Sequence, residues 1–435
     1  MTEHRGRVGT WLGNPVHDRW LELESDALIR FGSASRTPTG FGYLNTNGAV
    51  TERPHELLIN CRMMHYFALG TLLGRPGSAP LVDHGIRALT TTFSDKEFGG
   101  WFTTVTADRV VAERKDAYSH AFVLLAAASA VVAGRPGADE LFAEARAVST
   151  GHFWQETDGL VVESYDRTFT ESEPYRGVNA NMHTVEAYLV TADVTDDDTW
   201  LNRAHRIVRR VIDSFARGAG WRIPENFDVD WSPMLDYNRD NPADPFRPYG
   251  ATVGHSFERA RLALETAAAL RKRGLEPGEW MLEGARELFA RAVQDGWAVD
   301  GSDGFVYTVD FDGAPVVHER MHWVVTEAVS AAATLPQATG EASYEHWLPY
   351  VVGLRRRPTH REAGCLGPRV GPDHGHSERT WSGKPDVYHA LQATLIPRLP
   401  MTPAIAPAIA TGHLDRCDSP RPSEHAFPLL ARART

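Results

Sequence analysis

The chain is predicted to be all-α: an (α/α)6 barrel of six inner and six outer helices, with short β-hairpins roofing one mouth. Three observations predict it. A histidine heads an apolar run six times, at His65, His120, His183, His255, His322 and His389, with gaps of 55, 63, 72, 67 and 67 residues. A more amphipathic helical stretch separates each run from the next. Gly-containing turns with alternating apolar neighbours follow those stretches. A recurring unit of roughly this size is the mark of stacked supersecondary repeats, and two helices plus two loops fill it.

The inner helices come first. The His-led runs, such as His120-Ala-Phe-Val-Leu-Leu, are apolar nearly all round, as a helix covered on both sides needs to be. The outer candidates are Trp20–Phe31, Ala79–Phe93, Ala138–Phe153, Trp200–Arg217, Glu279–Trp297 and Ser343–Leu354. In Trp200–Arg217, Leu201, Ala204, Ile207, Val208, Val211, Ile212 and Phe215 recur at three- and four-residue steps. Arg203, Arg206, Arg209 and Arg210 fill the opposite side, so one face is buried and one wet. The turns are Phe98-Gly-Gly-Trp, Asp158-Gly-Leu-Val, Gly218-Ala-Gly-Trp and Asp303-Gly-Phe-Val; Asp-Gly between alternating apolars is a strong hairpin signal. Each hairpin leads into an inner helix and so crowds its leading end. The barrel is expected to span residues 1–400. Residues 401–435, rich in Ala, Pro and Arg, are expected to be a loosely packed or disordered tail. The long connection from Ile223 to Gly250 is too extended for a plain link and is read as functional.

Composition narrows the function. Apolar residues make up 42% and charged residues 23%, an ordinary globular balance, and the net charge of −11 disfavours nucleic acid and anionic membranes as partners. No apolar run is long enough to span a bilayer. Cys61, Cys365 and Cys417 form neither a disulfide framework nor a zinc spacing, which suits a reducing cytoplasm. The oligomeric state is not legible.

Three acid–imidazole pairs stand three residues apart: His183 with Glu186, His255 with Glu258, and Asp386 with His389. On a helix that spacing puts both groups on one face, and a carboxylate beside an imidazole tunes an acid or base near neutrality. Arg62, three residues before His65, offers a fixed donor fork to an oxygen gaining charge. Tyr118, Asn179 and Trp323 lie at similar depth and supply a hydroxyl, an amide and an aromatic wall, the surfaces a sugar needs. His120 reads equally well as a satisfied core histidine. Neither H-E-x-x-H nor a Cys/His cluster is present, so no metal is expected.

These residues resemble the N-acylglucosamine 2-epimerase superfamily, and more closely its aldose–ketose isomerase branch, which includes mannose isomerase and sulfoquinovose isomerase. The resemblance rests on Lys115-Asp-Ala-Tyr-Ser-His-Ala-Phe, Asn179-Ala-Asn-Met-His-Thr-Val-Glu-Ala, Pro248-Tyr-Gly-Ala-Thr-Val-Gly-His-Ser-Phe-Glu and Trp381-Ser-Gly-Lys-Pro-Asp-Val-Tyr-His-Ala. It implies the same barrel, no cofactor and a monosaccharide substrate. It implies that His255 and His389 are the acid–base pair, with His255 polarised by Glu258. It also implies that Arg62, Tyr118, Asn179, His183, Glu258 and Trp323 contact the sugar or orient the histidines. The reaction implied is D-mannose to D-fructose through a cis-enediol, the alternatives being sulfoquinovose isomerisation or hexose 2-epimerisation. A glycoside hydrolase would need two carboxylates across the scissile bond, where this pattern is rich in His; a sugar binder without turnover is the third class. One stretch departs from the superfamily: Arg361-Glu-Ala-Gly-Cys-Leu-Gly-Pro-Arg-Val-Gly-Pro replaces a Gly-Ser-Trp strand and a Glu-Leu pair, and its prolines are expected to weaken the strand.

Overall fold

A computed structural model describes residues 11–349, 380, 383–384 and 387–414, and the backbone of 369–370. The fold is mainly helical with short hairpins. Six helices form an inner set: α2 (Leu57–Leu72), α4 (Ala117–Val132), α6 (Val178–Thr195), α8 (Val253–Lys272), α10 (His322–Thr339) and α11 (Tyr388–Leu395). Each packs against the next, and α11 packs back on α2. Their composition requires this: α4 is buried from Ala117 to Ala130 apart from Tyr118, because neighbours cover both of its sides.

Each inner helix has an outer companion. α3 (Ser78–Thr90), α5 (Ala138–Val148), α7 (Asp198–Val208) and α9 (Glu279–Gly296) pack on α2, α4, α6 and α8, while α1 (Pro15–Gly32) packs on α11. A single 3-10 segment, Ala342–Trp347, takes that place on α10; the remainder of the expected Ser343–Leu354 helix lies largely outside the described residues. α7 buries Trp200, Leu201, Ala204, Ile207 and Val208, as its period predicts. Beyond Val208 the coil widens into π-type turns over Arg209–Ala216, still burying Val211 and Ile212.

Every strand pairing is antiparallel. The dipeptides leading α2, α4, α6 and α8 each pair with a later strand: His55–Glu56 with Thr104–Val105, Lys115–Asp116 with Ser164–Tyr165, Arg176–Gly177 with Asn226–Phe227, and Ala251–Thr252 with Thr308–Val309. A Leu44–Lys384 bridge joins the last repeat to the first. The hairpins are therefore stitches between repeats, which ties the leading ends of the inner helices together. The stretch whose strand was expected to be weakened pairs over two residues, Arg369–Val370 on Arg320–Met321.

Two expectations need correction. His65 does not head its helix: eight residues precede it in α2, placing it about 12 Å below the leading end. There its Nδ1 meets Ser129 Oγ at 2.7 Å, away from the mouth. The tail is not loose where it is described. α12 (Ile405–Ala410) packs on α2, α4 and α6 and buries Ile405, Ala406, Ala408 and Ile409, because those apolar residues close the end of the helical set opposite the hairpins. Residues 415–435 lie outside the described residues.

Ile409→Ala is expected to cost about 2–3 kcal/mol in urea unfolding, the cost of a cavity under a packed side chain. A change below about 0.5 kcal/mol would mark α12 as a detached surface segment.

Candidate active site

At the hairpin end, a vestibule of about 870 Å³ narrows into an inner chamber of about 80 Å³. All eight residues singled out in the sequence line that chamber: Arg62, Tyr118, Asn179, His183, His255, Glu258, Trp323 and His389. They come from α2, α4, α6, α8, α10 and α11, so all six inner helices contribute. His322, Tyr307 and, from the long connection, Pro245 and Phe246 complete the wall.

His255 and His389 share one aromatic neighbour. The Trp323 ring centroid lies 5.3 Å from that of His255 and 5.6 Å from that of His389, with both imidazoles tilted by less than 40°. Gly254 permits this arrangement: a Cβ there would sit 2.3 Å from the indole ring. Arg62 is buried, its guanidinium 4.4 Å from the Phe122 ring centroid, and its Nη2 donates to Tyr118 Oη at 2.6 Å. The Asn179 Oδ1 is buried with no hydrogen-bond partner, which leaves it for a ligand.

Each catalytic candidate is backed by a carboxylate, but not by the predicted one. His255 Nδ1 lies 2.9 Å from Glu225, at the start of the long connection, rather than pairing with Glu258. His389 Nδ1 lies 2.9 Å from Glu327 on α10, and Asp386 lies outside the described residues. His183 Nδ1 is 3.7 Å from Glu258 and 3.9 Å from Glu186, too long for a hydrogen bond to either. The reason is directional. Side chains lean toward the helix N-terminus, so a histidine in the first turn reaches over the leading end to a neighbouring element. The residue three positions on sits a turn deeper and lies beneath the ring.

Beneath the chamber is a buried charge cluster. Arg261 Nη1 donates to both oxygens of Glu265 at 3.1 Å, its Nη2 donates to Glu327 at 3.2 Å, and Glu258 lies 3.7 Å away. Glu186 accepts from Tyr388 Oη and, at 2.7 Å, from Gln392 Nε2. Burial pushes the Glu258 carboxyl well up, and the nearby Glu327 charge pushes it further. Burial also acts on Glu327, but Arg261 and His389 more than reverse it and leave that group ionised. Glu225 is likewise held down, burial being outweighed by His255. Desolvation drops His183 to about 3, so it stays neutral.

Two of the six repeat histidines lie apart from the site. His120 accepts from Trp101 N–H at 3.2 Å through Nε2 and donates from Nδ1 to the Asp116 carbonyl at 2.7 Å. It is a satisfied core histidine, its pKa dropped to about 3 by burial. The sequence reading missed Glu225, Glu327 and Arg261. A signal for Arg261 was present: His255-Ser-Phe-Glu-Arg-Ala-Arg-Leu-Ala-Leu-Glu puts four charges into a helix covered on all sides, an expensive placement without a purpose.

Residues 40–393 match the N-acylglucosamine 2-epimerase family (GlcNAc 2-epimerase). The chain belongs to that family. Among curated relatives, a D-mannose isomerase of Thermobifida fusca is 48% identical over 412 residues, covering 92% of this chain and 99% of the relative. A D-mannose isomerase of Pseudomonas cannabina pv. alisalensis is 45% identical over 414 residues, covering 94% and 99%. A crystal structure of D-mannose isomerase superposes with a TM-score of 0.81 at 25% identity, over 88% of this chain and 99% of that one. No helix among the described residues is long and apolar enough to cross a membrane.

The cluster carries a pH signature. Burial pushes Glu265 up to about 7, from the ordinary carboxyl value of about 4.5. The folded chain therefore keeps a proton that the unfolded chain releases, so this group's contribution is full below about pH 4.5 and declines as pH rises to about 7. Urea midpoints across that window are expected to fall less steeply for Glu265→Gln than for the parent. Equal slopes would show that Glu265 is ionised throughout.

Proposed function

We propose that this chain is a D-mannose isomerase that interconverts D-mannose and D-fructose by histidine acid–base chemistry. The observation that carries the reading is two imidazoles, each backed by a buried carboxylate, flanking Trp323 in one small chamber. The nearly full-length likeness to D-mannose isomerases supports the substrate. The ring of paired helices is read as an (α/α)6 barrel closed over one mouth by its strand stitches, and the compartment as a reducing cytoplasm, in keeping with the free, buried Cys61 thiol.

The chemistry follows from the groups present. The C2 proton of an open-chain aldose is weakly acidic because the C1 carbonyl takes up the charge. His389 removes it and returns it to C1, passing through a cis-enediol. Glu327 fixes the His389 tautomer and stabilises the imidazolium as it forms. His255, oriented by Glu225 rather than Glu258, opens the sugar ring and moves the oxygen protons. Arg62, Tyr118 and Asn179 hold the oxygens on which charge develops. Glu258 lines the chamber beside His183 and contacts the sugar. Trp323 supplies the flat wall against the sugar carbons.

Incubation with mannose in D2O is expected to yield fructose carrying deuterium at C1. His389→Asn is expected to lower kcat by about 10²–10⁴-fold, the usual weight of a positioned general base, with the circular dichroism unchanged. Glucose labelled at C2 would instead identify a 2-epimerase. Full activity in His389→Asn would remove His389 from the proton path.

A further inference from the structure

We propose that the chamber floor binds one divalent first-row transition-metal cation through His183, Glu186 and Glu258, and that the cation competes with the sugar. One ligand atom from each of the three residues lies within 4.8 Å of the others. His183 and Glu186 stand one turn apart on α6, and Glu258 faces them from α8. The site is not merely a group of acids. Glu258 is 1% exposed, neither of its oxygens has a hydrogen-bond partner, and it lines the chamber. His183, 3% exposed, likewise leaves its Nδ1 without one and lines the same chamber. A deeply buried carboxyl group and an imidazole nitrogen, both without hydrogen-bond partners, turned on the same point are what a cation completes.

The donor chemistry selects the ion. One imidazole nitrogen and two carboxylate oxygens, with no thiolate, suit Zn²⁺, Co²⁺ or Mn²⁺ better than Ca²⁺ or Mg²⁺. Four carboxyl groups, Glu186, Glu258, Glu265 and Glu327, gather around Arg261, while Arg62 and Arg259 also act on His183 and Glu258, so the cation competes with these guanidinium groups. The Arg261 guanidinium, 3.7 Å from Glu258, works against the cation and weakens its binding. A second triad, Glu258, Glu327 and His389, is equally close. Both triads contain one carboxylate already hydrogen-bonded, Glu327 to Arg261 and His389 in the second and Glu186 to Tyr388 and Gln392 in the first, but only the first adds an imidazole Nδ1 without a partner, that of His183. Because His183 and Glu258 face the chamber, an ion held between them occupies sugar space and acts as an inhibitor.

Isothermal titration of Zn²⁺ into the untagged, chelator-treated full chain tests this without relying on turnover. One ion per chain is expected, with binding weakened at least about tenfold in Glu258→Gln and in His183→Gln, little changed in Glu327→Gln, and weakened by added mannose. If His183→Gln fails to fold by circular dichroism, Glu186→Gln takes its place with the same expected loss. No binding up to millimolar Zn²⁺, or binding that survives these substitutions, overturns the site. Binding abolished by Glu327→Gln alone moves the ion to the second triad and also overturns it.

Discussion

A single buried guanidinium holds the centre of this protein together. Arg261 is 1% exposed and sits among Glu258, Glu265 and Glu327, with Glu186 close by. Removing such a charge from water costs several kcal/mol, repaid only where partners are close and well aligned. Here they are, with both Glu265 oxygens and one of Glu327 within 3.2 Å. Glu327 in turn holds His389. The ionised state of the carboxylate behind the proposed proton carrier thus depends on a residue that does not line the inner chamber. Without Arg261 the surrounding carboxyls would take up protons, and His389 would lose the charge that supports its imidazolium.

The ring of helices makes that arrangement possible. Helices apolar on all sides have to be enclosed, and a ring with an outer layer encloses them. The strand stitches gather the leading ends, so histidines in the first turns of α8, α10 and α11 converge. α12 shuts the opposite end and covers the charge cluster from below. Fold and electrostatics depend on one another: the low-polarity interior sharpens every interaction in the cluster, and the cluster is tolerable only because it is nearly complete.

Much of this was legible in the sequence. The recurring His-led runs exposed the inner helices, the period of Trp200–Arg217 gave the buried face of α7, and all eight singled-out residues meet in one chamber. Position along the chain carries that information, because helix periodicity is local. The partner of each histidine was not legible. Glu225 reaches His255 from 30 residues away, and Glu327 reaches His389 from 62. Those contacts depend on how helices are rotated against one another, and the tempting carboxylate three residues after His255, Glu258, sits a turn deeper on the same helix. The phase of the repeat also misled: the last two gaps are equal and in register, while His65 and His120 occupy different depths or faces. The composition of the tail suggested looseness, since the three alanines, two isoleucines and one proline of α12 look featureless until a helical base is there to receive them.

The central claim is that His255 and His389 act on one sugar molecule. A crystal structure with an unreactive open-chain hexitol tests it most directly. The expected result is the hexitol C1–C2 edge within about 3.5 Å of His389 Nε2, with an oxygen of the same molecule on His255 and the carbon chain against Trp323. A hexitol bound only in the outer vestibule, touching neither imidazole, would contradict the account.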